Sequence, residues 1–303
     1  GQEVPSLAAA YVLQKKDWMV TCYRENAGLF WRGLPKEKIL LHWMGDERGN
    51  HIDECKVTPL AIAIGSQMLH ATGLAWASKY KKDGAIACTF FGDGATSEGD
   101  FHEAANFAAN LDLPVVFICQ NNGWAISTPT KLECSAPTVA QRGIAYGMDC
   151  VQVDGNDIFA MVKVVRDAVD NARKNNRPTF IEALTYRLGD HTTADDARRY
   201  RDADELEMWE KRDPMIRTRM YLEQRDLWNG VKEEEQLDLA AKEIIQVVKN
   251  AEEIDAPSAT DFFDSMFTDL PPELKRQRQT MRTSSLGQDP SQVELTNEVR
   301  QNN

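Results

Sequence analysis

The sequence predicts an α/β fold, an open and mostly parallel sheet with helices on both faces, followed by a helical C-terminal region. Short apolar runs of strand length alternate along the chain with amphipathic stretches of helical period. In the clearest unit, a strand-like run at 85–91 precedes a helical pattern at 99–111 and a second run at 114–120. A strand, a helix and a strand in this order form a βαβ unit with parallel strands.

The N-terminal part of the chain is predicted to be helical. Amphipathic patterns cover 4–15 and 36–44, loop residues dominate 45–56, and the first sixty residues contain no strand set of their own. Residues 61–80 are rich in small apolar side chains, which allow a helix to approach its neighbour closely. We expect a buried helix there.

The alternation continues beyond the βαβ unit. A run at 150–153 and a strand at 179–185 flank the amphipathic stretch 158–175, so both faces of the sheet are expected to be covered. After a polar loop rich in arginine and aspartate, further helices are predicted at 205–211, 215–224 and 232–251. We therefore predict one domain over 1–274, and the polar composition of 275–303 predicts a flexible tail.

Composition and charge exclude two classes of protein. The chain has 303 residues, and its 35 basic and 47 acidic side chains give a net charge of −12, which argues against nucleic-acid binding through bulk electrostatics. Its longest apolar runs are far shorter than the roughly 20 residues that cross a bilayer. The 6 cysteines form no Cys-x-x-Cys pair, which is typical of reduced thiols in a cytoplasmic protein. Because the sequence opens on glycine, we expect further residues upstream.

Two turns at the ends of predicted strands carry the most informative polar residues. A Gly-Asp-Gly turn with Asp93 follows the run 85–91, and an Asn-Asn-Gly turn with Asn122 follows the run 114–120. Open α/β sheets bind ligands at the carboxyl ends of their strands, so the two turns are expected to meet in one crevice. A carboxylate, an amide oxygen and a nearby carbonyl suit Mg²⁺ and leave positions for a diphosphate. Either turn alone is an ordinary turn, but their separation, 122 − 93 = 29 residues in a βαβ frame, predicts a cofactor site.

The segment 92–128 matches the thiamine-diphosphate motif, which begins with GDG and ends with NN. Similar features run along most of the chain: GQE at its start, CYREN at 22–26, GDGATSEGD from 92, QNNGWAIST from 120, VDGND at 153–157, and YRLGDHTTADD from 186 followed by RYR at 199–201. This order resembles the α subunit of the E1 component of 2-oxo acid dehydrogenase complexes of the α₂β₂ type. The resemblance implies the thiamine-diphosphate-binding fold.

The resemblance also implies the cation ligands. Asp93 and Asn122 would bind Mg²⁺ through their side chains, and Trp124 would bind it through its main-chain carbonyl. The family usually has Tyr or Arg-Tyr at the position of Trp124, a change that a main-chain ligand tolerates.

Further positions match the family's contacts to the diphosphate of the cofactor. Tyr23 and Arg24 correspond to a pair that reaches this group, and a planar guanidinium suits the task because it pairs with two phosphate oxygens. The main chain of Gly94 and Ala95 matches further contacts to the diphosphate.

The resemblance implies roles for three more places. Ile62 and Ile64 match positions that hold the thiazolium and pyrimidine rings. His191 corresponds to a loop histidine beside the cofactor, and such a histidine can act as acid or base near neutral pH. Arg187 and Asp195 match a pair that holds this loop.

Activity is expected to require a second subunit. Thiamine-diphosphate chemistry needs a carboxylate facing the aminopyrimidine ring, and in this family the β subunit supplies it. The resemblance therefore implies an α₂β₂ assembly with the E1 β subunit, a 2-oxo acid substrate, and the lipoyl domain of E2 as acceptor. The implied reaction is oxidative decarboxylation of the 2-oxo acid and reductive acylation of the lipoyl group.

The sequence leaves several substrates and functions open. FWRGLP at 30–35, KRDPMIR at 211–217 and LPPELK at 270–275 are most like bacterial pyruvate dehydrogenase, and branched-chain 2-oxo acid dehydrogenase is close behind. An acetoin dehydrogenase α subunit shares the motif and cleaves a different ketone. An inactive scaffold subunit would be expected to lack one of Asp93, Asn122, Arg24 and His191, and all four are present. A nicotinamide-binding enzyme is disfavoured because no Gly-x-Gly-x-x-Gly follows the first strand.

Overall fold

A parallel sheet organises the molecule. The computed structural model describes residues 1–258, 260–264 and 266–286. The strands are β1 (Trp18–Val20), β2 (Ala87–Gly92), β3 (Val115–Asn121), β4 (Trp124–Ala125), β5 (Thr128–Pro129), β6 (Asp149–Asp154) and β7 (Thr179–Leu184). Within the described residues, five of them form a parallel sheet in the order β1-β2-β3-β7-β6, and β4 pairs with β5 as an antiparallel hairpin.

Helices surround the sheet. They are α1 (Glu3–Val12), α2 (Asn26–Trp31), α3 (Lys36–Trp43), α4 (Ser66–Lys81), α5 (Gly99–Asn110), α6 (Thr130–Glu133), α7 (Gln141–Ile144), α8 (Ile158–Asn175), α9 (Ala203–Glu210), α10 (Pro214–Glu223), α11 (Gly230–Glu252), α12 (Asp261–Asp264) and α13 (Pro272–Leu286). Capping side chains fix where several begin. The Asp157 carboxylate, for example, accepts hydrogen bonds from the N–H groups of Phe159 and Ala160 at the start of α8.

Two apolar layers cover the sheet, one on each face. Helices α1 and α8 pack over Phe90 and Ile118, and helices α4 and α5 pack over Phe91 and Phe117. Neighbouring strand residues enter opposite layers because side chains alternate along a strand. Each such buried side chain contributes about 1.5–3 kcal/mol of hydrophobic stabilisation. The predicted α/β class with both faces covered is confirmed.

The register of the sheet brings the carboxyl ends of its strands to one edge. Gly92 pairs with Gln120, and Asn121 pairs with Leu184, so β2, β3 and β7 all end at the same level. The segment after β1, which contains the CYREN sequence, leaves the sheet at this edge because β1 is parallel to β2. Residues that are distant in sequence therefore meet there.

The prediction of a buried helix at 61–80 was wrong in two respects. Helix α4 begins at Ser66, after Gly65 with a φ of 95°, and residues 61–65 are not helical. Only one side of α4 packs on the sheet, while Trp76 is 50% exposed and Tyr80 85% exposed. The small residues, such as Ala71 and Ala75, permit close packing on the buried side, and the bulky apolar side chains occupy the other.

Two strand pairs were not predicted. The three-residue β1 joins the sheet edge beside β2 within the region expected to lack strands. The hairpin of β4 and β5 has two residues in each strand. Runs this short have no readable period, and their pairing depends on tertiary contacts.

The C-terminal region is helical, as predicted. Helix α11 packs against α3, where Lys36 and Glu243 form an ion pair at 2.5 Å and Asn250 donates to Glu37 at 2.9 Å. Helix α13 crosses the predicted boundary between domain and tail, and residues 287–303 of the predicted tail lie outside the described residues. In the described part of the chain, none of the helices has the length and apolarity needed to span a bilayer.

Candidate functional site

Asp93 lies directly after β2 and is almost completely buried. The Thr130 hydroxyl, at the start of α6, donates a hydrogen bond to Oδ2 of Asp93. Among the described residues, Oδ1 of Asp93 is buried and has no hydrogen-bond partner. Burial raises the pKa of Asp93, although the Thr130 hydroxyl and the main-chain N–H of Asn122 oppose this rise.

The other two predicted cation ligands lie beside Asp93. Oδ1 of Asn122 accepts a hydrogen bond from the main-chain N–H of Trp124 at 3.1 Å, so the amide group contacts the backbone of the hairpin. Asn122 is buried, and its own N–H lies near the Asp93 carboxyl. The structure thus places the main chain of Asn122 next to the Asp93 carboxyl and the Asn122 side chain against the main chain of Trp124.

Glu133, at the end of α6, is a residue of this site that sequence reasoning missed. Burial raises its pKa to about 7, the neighbouring Asp93 carboxyl adds to the rise, and Arg142 opposes it. Oε2 of Glu133, like Oδ1 of Asp93, is buried without a hydrogen-bond partner in the described structure. Two adjacent carboxyl groups with unpartnered oxygens form a site that a divalent cation would stabilise, so the donor set fits Mg²⁺.

Gly94 lets the hairpin close over the turn after β2. A Cβ at this position would lie 2.6 Å from Cβ of Ala125, which is closer than two carbon atoms approach without displacement. Ala95 is buried in the same 3₁₀ turn, Asp93–Ser97. The structure therefore places both residues next to Asp93, and a larger side chain at Gly94 would push the hairpin away.

Tyr23 and Arg24 reach the site from the segment after β1. Both side chains are half-buried, and the Arg24 guanidinium lies 5.4 Å from the Tyr23 ring centre. Arg24 donates to the main-chain oxygen of His191 at 3.0 Å and lies 3.2 Å from its Nδ1. The predicted diphosphate-binding arm and the predicted histidine loop are therefore in direct contact.

Ile62 and Ile64 lie on the segment that precedes α4, next to the Tyr23 arm. The main-chain N–H of Ala61 donates to the carbonyl of Cys22 at 2.8 Å, which fixes the two segments side by side. Ile62 is 60% exposed and Ile64 is 41% exposed. They are not the core residues that their apolar character alone would suggest, and they offer an apolar wall at this edge of the sheet.

The loop after β7 holds His191 through a network of polar side chains. The predicted direct pair of Arg187 and Asp195 is not present: Arg187 donates to the Tyr200 hydroxyl at 2.7 Å, and that hydroxyl donates to Asp195 at 2.5 Å. Asp195 accepts the main-chain N–H of His191 at 2.8 Å. The Tyr200 hydroxyl can stand between the two charged groups because it accepts from Arg187 while donating to Asp195.

The network sets the charge of His191. Burial lowers its pKa, and the nearby Arg24 and Arg187 guanidinium groups lower it further, against the opposing influence of Asp195. The lowered pKa favours the neutral imidazole, whose Nδ1 faces the two guanidinium groups. Arg187 also donates to the carbonyl of Ile126 at 2.7 Å, which joins the histidine loop to the hairpin of the cation site.

A cleft of about 540 Å³ opens beside Arg24. Aromatic side chains of Tyr23 and Phe30 line one part, residues 186–190 line another, and residues 1–3 close the far side. The cleft therefore lies between the Tyr23 arm and the start of the loop that carries His191.

Tyr200→Phe is expected to loosen the histidine loop. The change removes the hydroxyl that joins Arg187 to Asp195, and losing hydrogen bonds to two charged groups should speed amide hydrogen exchange over 187–201 by about 10-fold or more. Hydrogen exchange followed by mass spectrometry of the full chain measures this. Tyr221→Phe on α10, whose ring packs on Phe159 at 4.6 Å, is the matched control. Equal exchange of 187–201 in both variants would contradict the role of the Tyr200 hydroxyl.

Comparison with known proteins identifies similar chains. The family model for the dehydrogenase E1 component matches residues 1–260. The chain is 41% identical over 285 residues to the 3-methyl-2-oxobutanoate dehydrogenase subunit alpha of Mycobacterium tuberculosis, which covers 93% of this chain and 77% of that protein. It is also 41% identical over 280 residues to the pyruvate dehydrogenase E1 component subunit alpha of Staphylococcus aureus, covering 91% of this chain and 75% of that protein.

Proposed function

We propose that this chain, which belongs to the dehydrogenase E1 component family and is the alpha subunit of a 2-oxo acid dehydrogenase, uses thiamine diphosphate and Mg²⁺ to decarboxylate pyruvate. The observation that carries the proposal is that the hairpin packed on the turn of Asp93 is joined through Arg187 to the loop on which His191 contacts Arg24. Family membership supports the dependence on thiamine diphosphate. The free thiols of its six cysteines agree with the cytoplasm as its place of action.

Different residues of the chain would hold the cation and the diphosphate of the cofactor. The side chains of Asp93 and Asn122, with the carbonyl of Trp124, would hold the cation, because a buried unpartnered carboxylate oxygen needs a positive partner. Tyr23 and Arg24 would hold the diphosphate. When bound, thiamine diphosphate supplies a thiazolium carbon that adds to the 2-oxo acid and accepts the electron pair released with CO₂.

His191 would handle protons during catalysis. Because its pKa is lowered, the neutral imidazole is present at pH 7 and can take a proton or pass one on near the 2-oxo group. Its position against Arg24 keeps it beside the arm that would hold the diphosphate. Arg187, Tyr200 and Asp195 orient the loop that carries His191.

A β subunit would complete the active site and supply the carboxylate that thiamine-diphosphate chemistry requires. Exposed apolar side chains near the Tyr23 arm and on α4 and α5 support such a partner. Ile62 and Ile64 lie open at this edge, and the rings of Trp76 and Phe107, 6.5 Å apart, extend the exposed surface along α4 and α5. Several large apolar side chains exposed in this way are typical of a contact with another protein. The proposed assembly is α₂β₂, and its acyl acceptor is the lipoyl domain of E2.

Pyruvate and 3-methyl-2-oxobutanoate are both candidate substrates. One of the two relatives is named for 3-methyl-2-oxobutanoate and the other for pyruvate. Both are 41% identical to the chain, so overall identity does not favour either substrate. The stretches 30–35, 211–217 and 270–275 favour pyruvate because of their likeness to bacterial pyruvate dehydrogenase.

Substrate assays of the assembled complex test the proposal. The chain should be co-expressed with its β subunit, and decarboxylation should be followed with thiamine diphosphate and Mg²⁺ for both substrates. We expect pyruvate to be turned over at least about 10-fold more efficiently, since the extra methyl groups of the other substrate need a larger pocket. A preference for 3-methyl-2-oxobutanoate would assign the branched-chain reaction, and cleavage of acetoin alone would assign the acetoin reaction. A complex that binds no thiamine diphosphate would contradict the enzyme proposal.

A further inference from the structure

Glu25 is a completely buried carboxylate at the edge of the sheet where the candidate site lies. It stands at the start of α2, immediately after Arg24 in the chain. Its described hydrogen-bond partners are neutral N–H groups, and burial raises its pKa. Burying a carboxyl group costs free energy that its hydrogen bonds must offset, so the partners of Glu25 indicate its role.

The two oxygens of Glu25 have different tasks. Oε2 accepts the main-chain N–H of Cys22 at 2.9 Å and that of Arg24 at 3.2 Å, which closes the turn carrying Tyr23 and Arg24. Oε1 accepts the side-chain amide of Gln120 at 2.6 Å. One carboxyl group therefore fixes the shape of the turn and also ties the turn to another element.

The element to which the turn is tied is the strand of the cation site. Gln120 lies near the end of β3, two residues before Asn122, and it is buried. The Glu25–Gln120 contact joins positions 95 residues apart in sequence. Arg24 thus keeps a fixed place relative to the residues that would hold the cation.

We propose that Glu25 and Gln120 are positioning residues that hold Arg24 and Tyr23 in place for the diphosphate of the cofactor. This inference rests on the proposed function. Neither side chain would touch the cofactor, and both act through the Cys22–Arg24 turn. Losing the Glu25 oxygens leaves two main-chain N–H groups without acceptors. The turn would then shift, and the Arg24 side chain would no longer point towards the diphosphate.

The geometry also predicts which substitution is tolerated. In Glu25→Gln, the amide oxygen can still accept both main-chain N–H groups, while the new NH₂ group faces Gln120. Oε1 of Gln120 is buried without a hydrogen-bond partner among the described residues, so rotating the Gln120 amide would present this oxygen to the new NH₂ group. Glu25→Gln should therefore be rescued by Gln120, whereas Glu25→Met, of similar size, should not.

The test measures the dissociation constant of thiamine diphosphate and kcat at saturating thiamine diphosphate in the assembled complex with β. Glu25→Met is expected to weaken cofactor binding by about 10- to 100-fold with kcat within about 3-fold of the parent value. Glu25→Gln should stay within about 3-fold in both quantities. The double variant Glu25→Gln, Gln120→Met should lose the rescue and bind about 10-fold more weakly than Glu25→Gln. If Glu25→Met does not assemble, the comparison of the single Gln variant with the double variant decides.

Arg24→Gln separates failure of this inference from failure of the proposed function. Normal cofactor binding by Arg24→Gln would show that the arm does not hold the diphosphate, which contradicts the proposed function. Weak binding by Arg24→Gln together with normal binding by Glu25→Met and by the double variant would overturn only the positioning role. Weak binding by Glu25→Gln equal to that of Glu25→Met would also overturn it, because the rescue through Gln120 would then not exist.

Discussion

Asp93→Ala is expected to abolish cation-dependent binding of thiamine diphosphate in the assembled complex. Asp93 presents a buried oxygen without a hydrogen-bond partner in the described structure, and its removal takes a carboxyl group away from the proposed cation site. Even partners of metal ligands contribute about 10- to 100-fold to metal affinity, so loss of a ligand should cost about 100-fold or more. Titration calorimetry with thiamine diphosphate, in the presence and absence of Mg²⁺, measures the loss.

The control for this variant must also remove one carboxylate, but from a position away from the proposed cation site. Asp167→Ala suits this purpose, because Asp167 is exposed on α8, where it pairs with Lys163. We expect Asp167→Ala to bind the cofactor as the parent does. Equal affinity of the Asp93→Ala and parent complexes for thiamine diphosphate with Mg²⁺ would remove Asp93 from the cation site.

The sequence was sufficient to predict that Asp93 and Asn122 meet. Both follow apolar runs with the length and composition of buried strands, and parallel strands bring their carboxyl ends to one edge whatever the details of packing. Helices α5 and α8 were predicted within one residue of their bounds, because an amphipathic period is a local property. These features depend on residues that are close together in the chain.

The partners of the site residues could not be predicted in this way. Thr130 donates to Asp93 across 37 residues of sequence, and Gln120 donates to Glu25 across 95. Such pairs are selected by the tertiary fold, and nothing in the local sequence distinguishes a threonine that faces a carboxylate from one that faces water. The Tyr200 hydroxyl between Arg187 and Asp195 is similar, since the family resemblance implied that these two residues pair directly. The sequence thus predicted the proposed ligands, and the structure was needed to find the residues that orient them.

His191→Ala should have a different effect from Asp93→Ala: cofactor affinity is expected to stay within about 3-fold, while turnover with the lipoyl acceptor falls by about 100- to 10,000-fold. Arg24 donates to the main-chain oxygen of His191, which alanine retains, and the ring is not among the groups assigned to the cation. Binding should therefore not require the ring. Steady-state assays of the complex with a lipoyl domain, alongside calorimetry, separate the two quantities. His51→Ala is the matched control, since His51 is an exposed loop residue paired with Asp53.

The pH dependence of kcat provides a second, independent test of the role of His191. Its pKa is lowered below the usual value by burial and by Arg24 and Arg187, so the neutral form persists to lower pH than for an exposed histidine. If the neutral ring takes the proton, kcat should be fully present above the usual histidine pKa of about 6.5 and be lost only as pH falls through the lowered value. Arg24→Gln removes one of the two positive neighbours, and the acid limb of the profile should then move to higher pH. An acid limb that is unchanged in both His191→Ala and Arg24→Gln would exclude His191 as the group that titrates.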